Sequence, residues 1–235
     1  MISYKKRTDG RRFDELREMD AKVGVIPRAN GSAMFKNGKS LAIAAVYGPR
    51  EMNPAFMRNP KKATLRVYYN MMAFSGSGER VRPGPSRRSK EINLVMEKAF
   101  EPVLDLVEFP NTAVDVFVEL IQTDAGTRCA AINAAALALA DAGINMKEMI
   151  SAIAVGKVYD KICVDLTKEE EDMEAVDIPI AMTSNSGKIT LLQMDGVLSR
   201  EDLKEIMKQA RDATLKVLEL QKKALMEKYG GQQNE

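Results

Sequence analysis

The sequence predicts an α+β fold built from mixed sheets packed with helices, and three observations carry that reading. Strand-like and helix-like segments alternate along all 235 residues. No linker longer than a loop divides them, so the chain reads as one domain over 1–235 with a short flexible N-terminus and a polar C-terminal tail. The composition, 45% hydrophobic and 29% charged, is that of an ordinary globular protein able to bury a substantial core.

Each element has a local reason. Ala21–Val25, Gly31–Phe35 and Ser40–Tyr47 read as strands set off by Pro27, Asn30-Gly31 and Asn37-Gly38. Asn-Gly between apolar alternations signals a hairpin. Residues 64–72 are rich in β-branched and aromatic side chains, as strands are. The loop Ser75–Pro85 is broken by glycine and proline. Ser86 can cap a helix running to about Leu104, with Ile92, Val95, Met96 and Ala99 on one face. Ala113–Gln122 alternates as a strand. Thr127–Ala142 is apolar nearly all round, which predicts a buried helix ended by Gly143. Ile150–Val158, Lys161–Asp165, Ile178–Met182 and Ile189–Met194 follow as strands. Ser199, with Asp202 three residues on, opens a long amphipathic helix through Leu203, Ile206, Ala210 and Val217.

The composition also excludes chemistry. Without a single histidine, imidazole acid–base catalysis, Ser-His-Asp triads and His-ligated zinc are ruled out. Cys129 and Cys163 lack metal-type spacing and are expected to be reduced. No apolar run nears the ~20 residues that span a bilayer. The N-terminus turns polar at once, unlike a signal peptide, so a cytoplasmic location and no membrane partner are expected. Net charge is +2, but residues 50–90 carry ten basic side chains against Glu51 and Glu79, while 165–177 carry seven acids against Lys168. Such polarity suits a polyanion at one place and protons or metal at another; two solvated loops would give the same pattern.

Three segments are candidates for chemistry. Gly126-Thr127 lies where a strand ends and a helix begins, and a helix start offers unpaired N–H groups and partial positive charge to an anion. Arg128 adds a guanidinium fork. Alone, the segment reads more readily as a plain N-cap at Thr127 and a surface residue at Arg128. Arg87 and Arg88 also sit at a helix start, where the dipole disfavours cations. Either an external anion compensates them or they pair with Glu91. Asp172 and Asp177 precede the strand-like Ile178-Pro179-Ile180 and could donate a proton or hold a divalent ion. Asp177 is the better placed, against a rigid strand; Glu169–Glu171 are expected to be solvated and without a role.

Taken in order, the segments resemble the RNase PH family. Arg7-Thr8-Asp9-Gly10-Arg11 resembles its opening signature. Gly31-Ser32-Ala33 and Ala44-Ala45-Val46-Tyr47-Gly48-Pro49 resemble its first hairpin. Pro85-Ser86-Arg87-Arg88, Asp124-Ala125-Gly126-Thr127-Arg128 and Ala138-Leu139-Ala140-Asp141-Ala142-Gly143 follow. Val155-Gly156-Lys157 and Asp177-Ile178-Pro179-Ile180-Ala181 complete the set. The likeness is greatest to the catalytic branch found in archaeal RNA-degrading exosomes.

The resemblance implies a ribosomal protein S5 domain 2-like βαβα architecture and a phosphate-dependent 3′→5′ exoribonuclease. Inorganic phosphate would be the co-substrate, nucleoside 5′-diphosphates the product, and RNA tail addition the reverse reaction. It further implies that Gly126, Thr127 and Arg128 hold phosphate, and that Arg87 and Arg88 grip the terminal RNA phosphates and stabilise charge in transfer, Arg88 as a catalytic residue. Asp177, with Asp172, would protonate the leaving oxygen or ligate Mg or Mn. Implied partners are single-stranded RNA, an inactive RNase PH-like paralogue in a hetero-hexameric ring, and RNA-binding cap subunits. Arg58, Lys61 and Lys62 are expected to line an RNA entry path. Two features depart from the pattern: Thr127 stands where relatives often carry serine, and the interval from Asp172 to Asp177 is one residue shorter than usual. Rival readings are a noncatalytic RNA-binding ring subunit and a tRNA-trimming homo-oligomer of the same family.

Overall fold

The computed structural model describes residues 4–78, 80–82, 84–173 and 175–230; the polar tail beyond Gly230 and the extreme N-terminus lie outside the described residues. Strands β1 (Met19–Val23), β2 (Gly31–Asn37) and β3 (Ser40–Glu51) form an antiparallel meander. The β2–β3 turn is the two-residue Gly38-Lys39 loop that the Asn37-Gly38 signal predicts. Then β4 (Thr64–Met71), α1 (Arg87–Phe100) and β5 (Thr112–Gln122) make a parallel crossover, giving a five-stranded sheet ordered β1-β2-β3-β5-β4.

Helix α2 (Thr127–Asp141) follows β5. The second sheet is antiparallel throughout, ordered β7-β6-β8-β9, from β6 (Ile150–Val158), β7 (Lys161–Val164), β8 (Ala175–Thr183) and β9 (Ile189–Leu192). A four-residue helix α3 (Lys168–Glu171) joins β7 to β8, and α4 (Arg200–Tyr229) closes the chain.

Alternation along β6 sets the layering. Ile150, Ala152 and Ala154 join the core around α2 and the first sheet, whereas Ile153 and Val155 face Ile206, Ala210 and Ala213 of α4. The second sheet is therefore packed between α2 and α4. Buried on every side, α2 needs its alanines to let both sheets approach closely. Its one amide, Asn133, donates to Ala152 O and accepts from Ala152 N, at 2.8 Å each, so no polar group is left open there.

The structure departs from the sequence reading in specific places. Helix α1 ends at Phe100 rather than near Leu104, because Pro102 has no N–H to continue the hydrogen-bond ladder. Strand β1 lies two residues earlier than read, stopping before Gly24, whose φ is +76°. Residues 168–171, read as a solvated acidic loop, form a helix whose Glu170 is fully buried against Arg7 at 2.7 Å. Among the described residues no helix is long and apolar enough to cross a membrane. Cys129 and Cys163 are buried and free.

Candidate active site

Three chain crossings bring the site together. The β5–α2 junction supplies Ala125, Gly126, Thr127 and Arg128; the start of α1 supplies Arg88; α3 and β8 supply Lys168, Glu171 and Asp177. They line a cavity of about 260 Å³, floored in part by Met71, Gly76–Gly78 and Pro179. A contiguous space of about 420 Å³ shares Arg88, Arg128, Glu171 and Asp177 and extends to Glu91, Gln193 and Asp195.

At the β5–α2 loop, Gly126 takes φ +60° as the N-cap of α2, and no side chain caps the helix. The first-turn N–H groups are thus left for an anion, and the left-handed backbone explains the glycine. Thr127 is buried with its hydroxyl at the same end. Beside it, burial raises the Tyr69 phenol, against the opposing pull of the Thr127 hydroxyl and of Arg88 and Arg128. Among the described residues the Tyr69 hydroxyl and Arg128 Nε are buried without hydrogen-bond partners. Unpaired buried donors beside an open helix start are what an incoming oxyanion would satisfy.

The second wall carries acids. Gly156 stands opposite Asp177 in the β6–β8 pairing, and a Cβ there would come within 2.1 Å of Val176 O, so glycine is what lets the Asp177 strand approach. Burial pushes the Asp177 carboxyl up to about 7, and the neighbouring Glu171 carboxylate adds to the rise; Arg128 pulls the other way. Asp177 Oδ1 is buried and has no partner among the described residues. Glu171 is itself raised by burial, with the Gly126 backbone and Lys168 acting against it.

Not every predicted residue reaches this cavity. Asp172 does not: its carboxylate pairs with Lys168 and is 62% exposed. Glu171, six residues before Asp177, occupies the wall instead and restores the spacing that Asp172 lacks. Arg87 is exposed and lines neither cavity. Glu91 is not the partner of Arg87 or Arg88; it accepts from Arg128 Nη2 at 3.5 Å and from Gln193 Nε2 at 3.2 Å. Lys62 pairs with Glu101 beyond the far end of α1, roughly 20 Å from Arg88 by helical rise. Arg58 pairs with Glu51 at 2.5 Å, and Lys61 binds Asn59 through its backbone. Of the remaining basic excess, Arg50 and Arg66 both serve the buried Asp115.

Sequence reasoning missed Glu171, Lys168, Tyr69 and Gln193. For the first two a signal existed: Thr167 and Glu170 form a capping box, which marks a helix start and puts Lys168 and Glu171 in its single turn. Among the described residues no group of three or more acid or cysteine side chains is disposed to hold a metal.

An open helix start and arginines facing a raised carboxyl, on a two-sheet α+β frame, are chemistry suited to phosphate esters. The family comparisons agree with that class. The RNase PH model for domain 1 of the 3′ exoribonuclease family matches residues 15–145, and the model for domain 2 matches 148–213. The chain belongs to the RNase PH family of 3′ exoribonucleases, as the ordered motifs suggest. It is 50% identical to "Exosome complex component Rrp41" of Pyrococcus furiosus, over 95% of this chain and 89% of that one. It is 47% identical to the protein of the same name from Methanopyrus kandleri, over 96% and 94%. The crystal structure of rice Rrp46 superposes with a TM-score of 0.83 at 26% identity, over 94% of this chain and all of that one.

Proposed function

We propose that the chain is the catalytic subunit of an exosome-type complex and degrades single-stranded RNA from its 3′ end by phosphorolysis. The observation that carries this reading is the joining in one cavity of the uncapped α2 start, Arg88 and Arg128 with the raised Asp177. Inorganic phosphate would sit on the Gly126 and Thr127 N–H groups and the Arg128 fork. Arg88 would hold the terminal phosphodiester, with Arg87 following the strand outside. A phosphate oxygen attacks phosphorus, the P–O3′ bond breaks, and the 3′-oxygen takes the Asp177 proton. The products are a nucleoside 5′-diphosphate and RNA one nucleotide shorter; reversed, the same steps add a tail.

The physics requires nothing the chain lacks. Phosphoryl transfer asks the protein mainly for positioning and charge neutralisation, so a histidine-free site suffices. The carboxylates also suit a divalent ion, Mg or Mn, which commonly takes only one or two protein carboxylates plus substrate phosphates. Asp177, with its unpartnered Oδ1, and Glu171 would hold it, in place of Asp172, and when bound it would supply charge neutralisation at the leaving oxygen.

A noncatalytic ring subunit is the other reading, and the retention of Arg88, Thr127, Arg128 and Asp177 around one cavity favours the enzyme over it. An inactive RNase PH-like paralogue in a hetero-hexameric ring, with RNA-binding caps, remains the proposed assembly. Labelled single-stranded RNA should yield nucleoside diphosphates only when phosphate is added, with the chain alone or mixed with the paralogue. Monophosphates formed without phosphate would overturn the reading.

A further inference from the structure

The buried Arg17, just before β1, is used by none of the steps above, yet it touches both walls of the cavity from behind. Its side chain is 6% exposed. Nε and Nη2 donate to the two oxygens of Asp165 at 3.0 and 2.7 Å, and its backbone N–H donates to the same carboxylate at 2.9 Å. Nη1 turns the other way and donates to the Asp124 carbonyl at 2.5 Å, with the Asp124 carboxylate 3.5 Å away. Asp124 opens the phosphate loop; Asp165 lies two residues before Thr167, the cap of α3. A cross-link completes the frame, since Lys168 N–H donates to Asp124 Oδ1 at 3.2 Å.

Both anchored segments are conformations the backbone would leave if freed. Ala125 and Asp165 are non-glycine residues at φ +58°, a left-handed backbone that crowds Cβ against the carbonyl oxygen. Ala125 is succeeded by Gly126, also left-handed, so the aim of the first α2 N–H groups depends on two consecutive unfavourable residues. Ser40 Oγ helps by accepting from Asp124 N–H and donating to Ala125 O, at 2.8 Å each. The Arg17 guanidinium lies directly under the turn: a Cβ built on Gly126 would be 3.4 Å from Nη2.

We propose that Arg17 is a positioning residue for phosphate, holding the loop at 124–126 in register with the segment that carries Lys168 and Glu171. The inference rests on the phosphorolytic reading. It accounts for an arginine rather than a lysine, because only a planar fork engages a carboxylate bidentately while a third nitrogen reaches a carbonyl on the opposite side.

The test separates positioning from mere folding. The full chain is assayed in the assembly that supports wild-type turnover, varying phosphate and RNA independently. Arg17→Lys should raise the KM for phosphate about tenfold while the KM for RNA moves less than about twofold, since the N–H groups it aims face phosphate. Added guanidinium ion should partly restore Arg17→Ala. Asp124→Asn, which leaves the Arg17–Asp165 pair whole, should shift the same KM several-fold and decides the matter if the Arg17 variants do not fold. An unchanged KM for phosphate in Asp124→Asn and in any folded Arg17 variant, with turnover falling only as the folded fraction falls, would overturn the proposal. Wild-type protein that releases no nucleoside diphosphate would instead sink the phosphorolytic reading itself.

Discussion

Replacing Glu171 with glutamine is the sharpest probe of the acid. Asp177 is held at about 7, from an ordinary 3.8, by burial first and by Glu171 second. That rise corresponds to about 4 kcal/mol against ionisation. A like charge in the same small cavity can supply on the order of one to two pK units of it. Burial is the larger cause of the rise and Glu171 the second, so the lower figure applies. Because the proposed acid works protonated, wild-type turnover should fall as pH rises through about 7. In Glu171→Gln the descending limb should move about one pH unit towards acid, lowering turnover near pH 7.5 several-fold. Nucleoside diphosphate release at saturating RNA and phosphate, from about pH 6 to 8.5, reads the limb directly. Phosphate titrates in this range too, but identically for both proteins, so the difference between profiles isolates the carboxyl. Superimposed limbs would refute the coupling. Turnover that rises with pH through 7 would make Asp177 a ligand or base instead of an acid.

Asp177→Asn should remove at least about a hundredfold of turnover with RNA affinity nearly intact, since a proton donor acts in the transition state; near-normal turnover would move the assignment elsewhere. The same variant should be more stable than wild type at pH 8. The folded-state value is raised, so ionisation opposes folding: the penalty is absent below about pH 4, grows as pH rises to about 7, and then levels off below a ceiling of about 4 kcal/mol. Thermal unfolding at pH 4 and pH 8 checks this, and an equal difference between the two proteins at both pH values would refute burial as the cause. Neutralising Arg58, Lys61 and Lys62 together should flatten the salt dependence of RNA binding by about 0.7 in log–log slope per lost phosphate contact. Their exposed pairs with Glu51 and Glu101 are too weak to prevent RNA from competing; an unchanged slope would leave them a solubility role.

Much of the fold was legible because its signals are local. Asn37-Gly38, the Ser86 and Ser199 caps, and the apolar run at 127–142 each mark an element without help from the rest of the chain. The β5–α2 junction was legible for the same reason, as a glycine between a strand and a helix. The acid wall was not. A four-residue helix has no period to detect, and one residue along it separates Glu171, in the cavity, from Asp172, out with Lys168. The burial of Glu170 could not be read either, because its partner Arg7 lies 163 residues away.

The charge pattern shows how local and long-range information combine. The acidic stretch suggested an open anionic loop, but Arg17 takes up Asp165 and Arg7 takes up Glu170, both inside the protein. The basic stretch likewise gives Arg50 and Arg66 to the buried Asp115. Pairing of this kind takes two of the seven acids and two of the ten bases out of the surface field. What survives at the cavity is Arg88 and Arg128 on one side and Glu171 with Asp177 on the other. Arg88 is exposed and Arg128 pairs with Glu91 at 3.5 Å, whereas Asp177 Oδ1 is buried without a partner among the described residues, and a perturbed acid in a cleft is a candidate for function. In the proposed reaction the guanidiniums would take phosphate, and the carboxyl, raised to about 7, would give its proton to the leaving oxygen. On that reading a carboxylic acid would do a histidine's work, because its environment moves it into the same pH range.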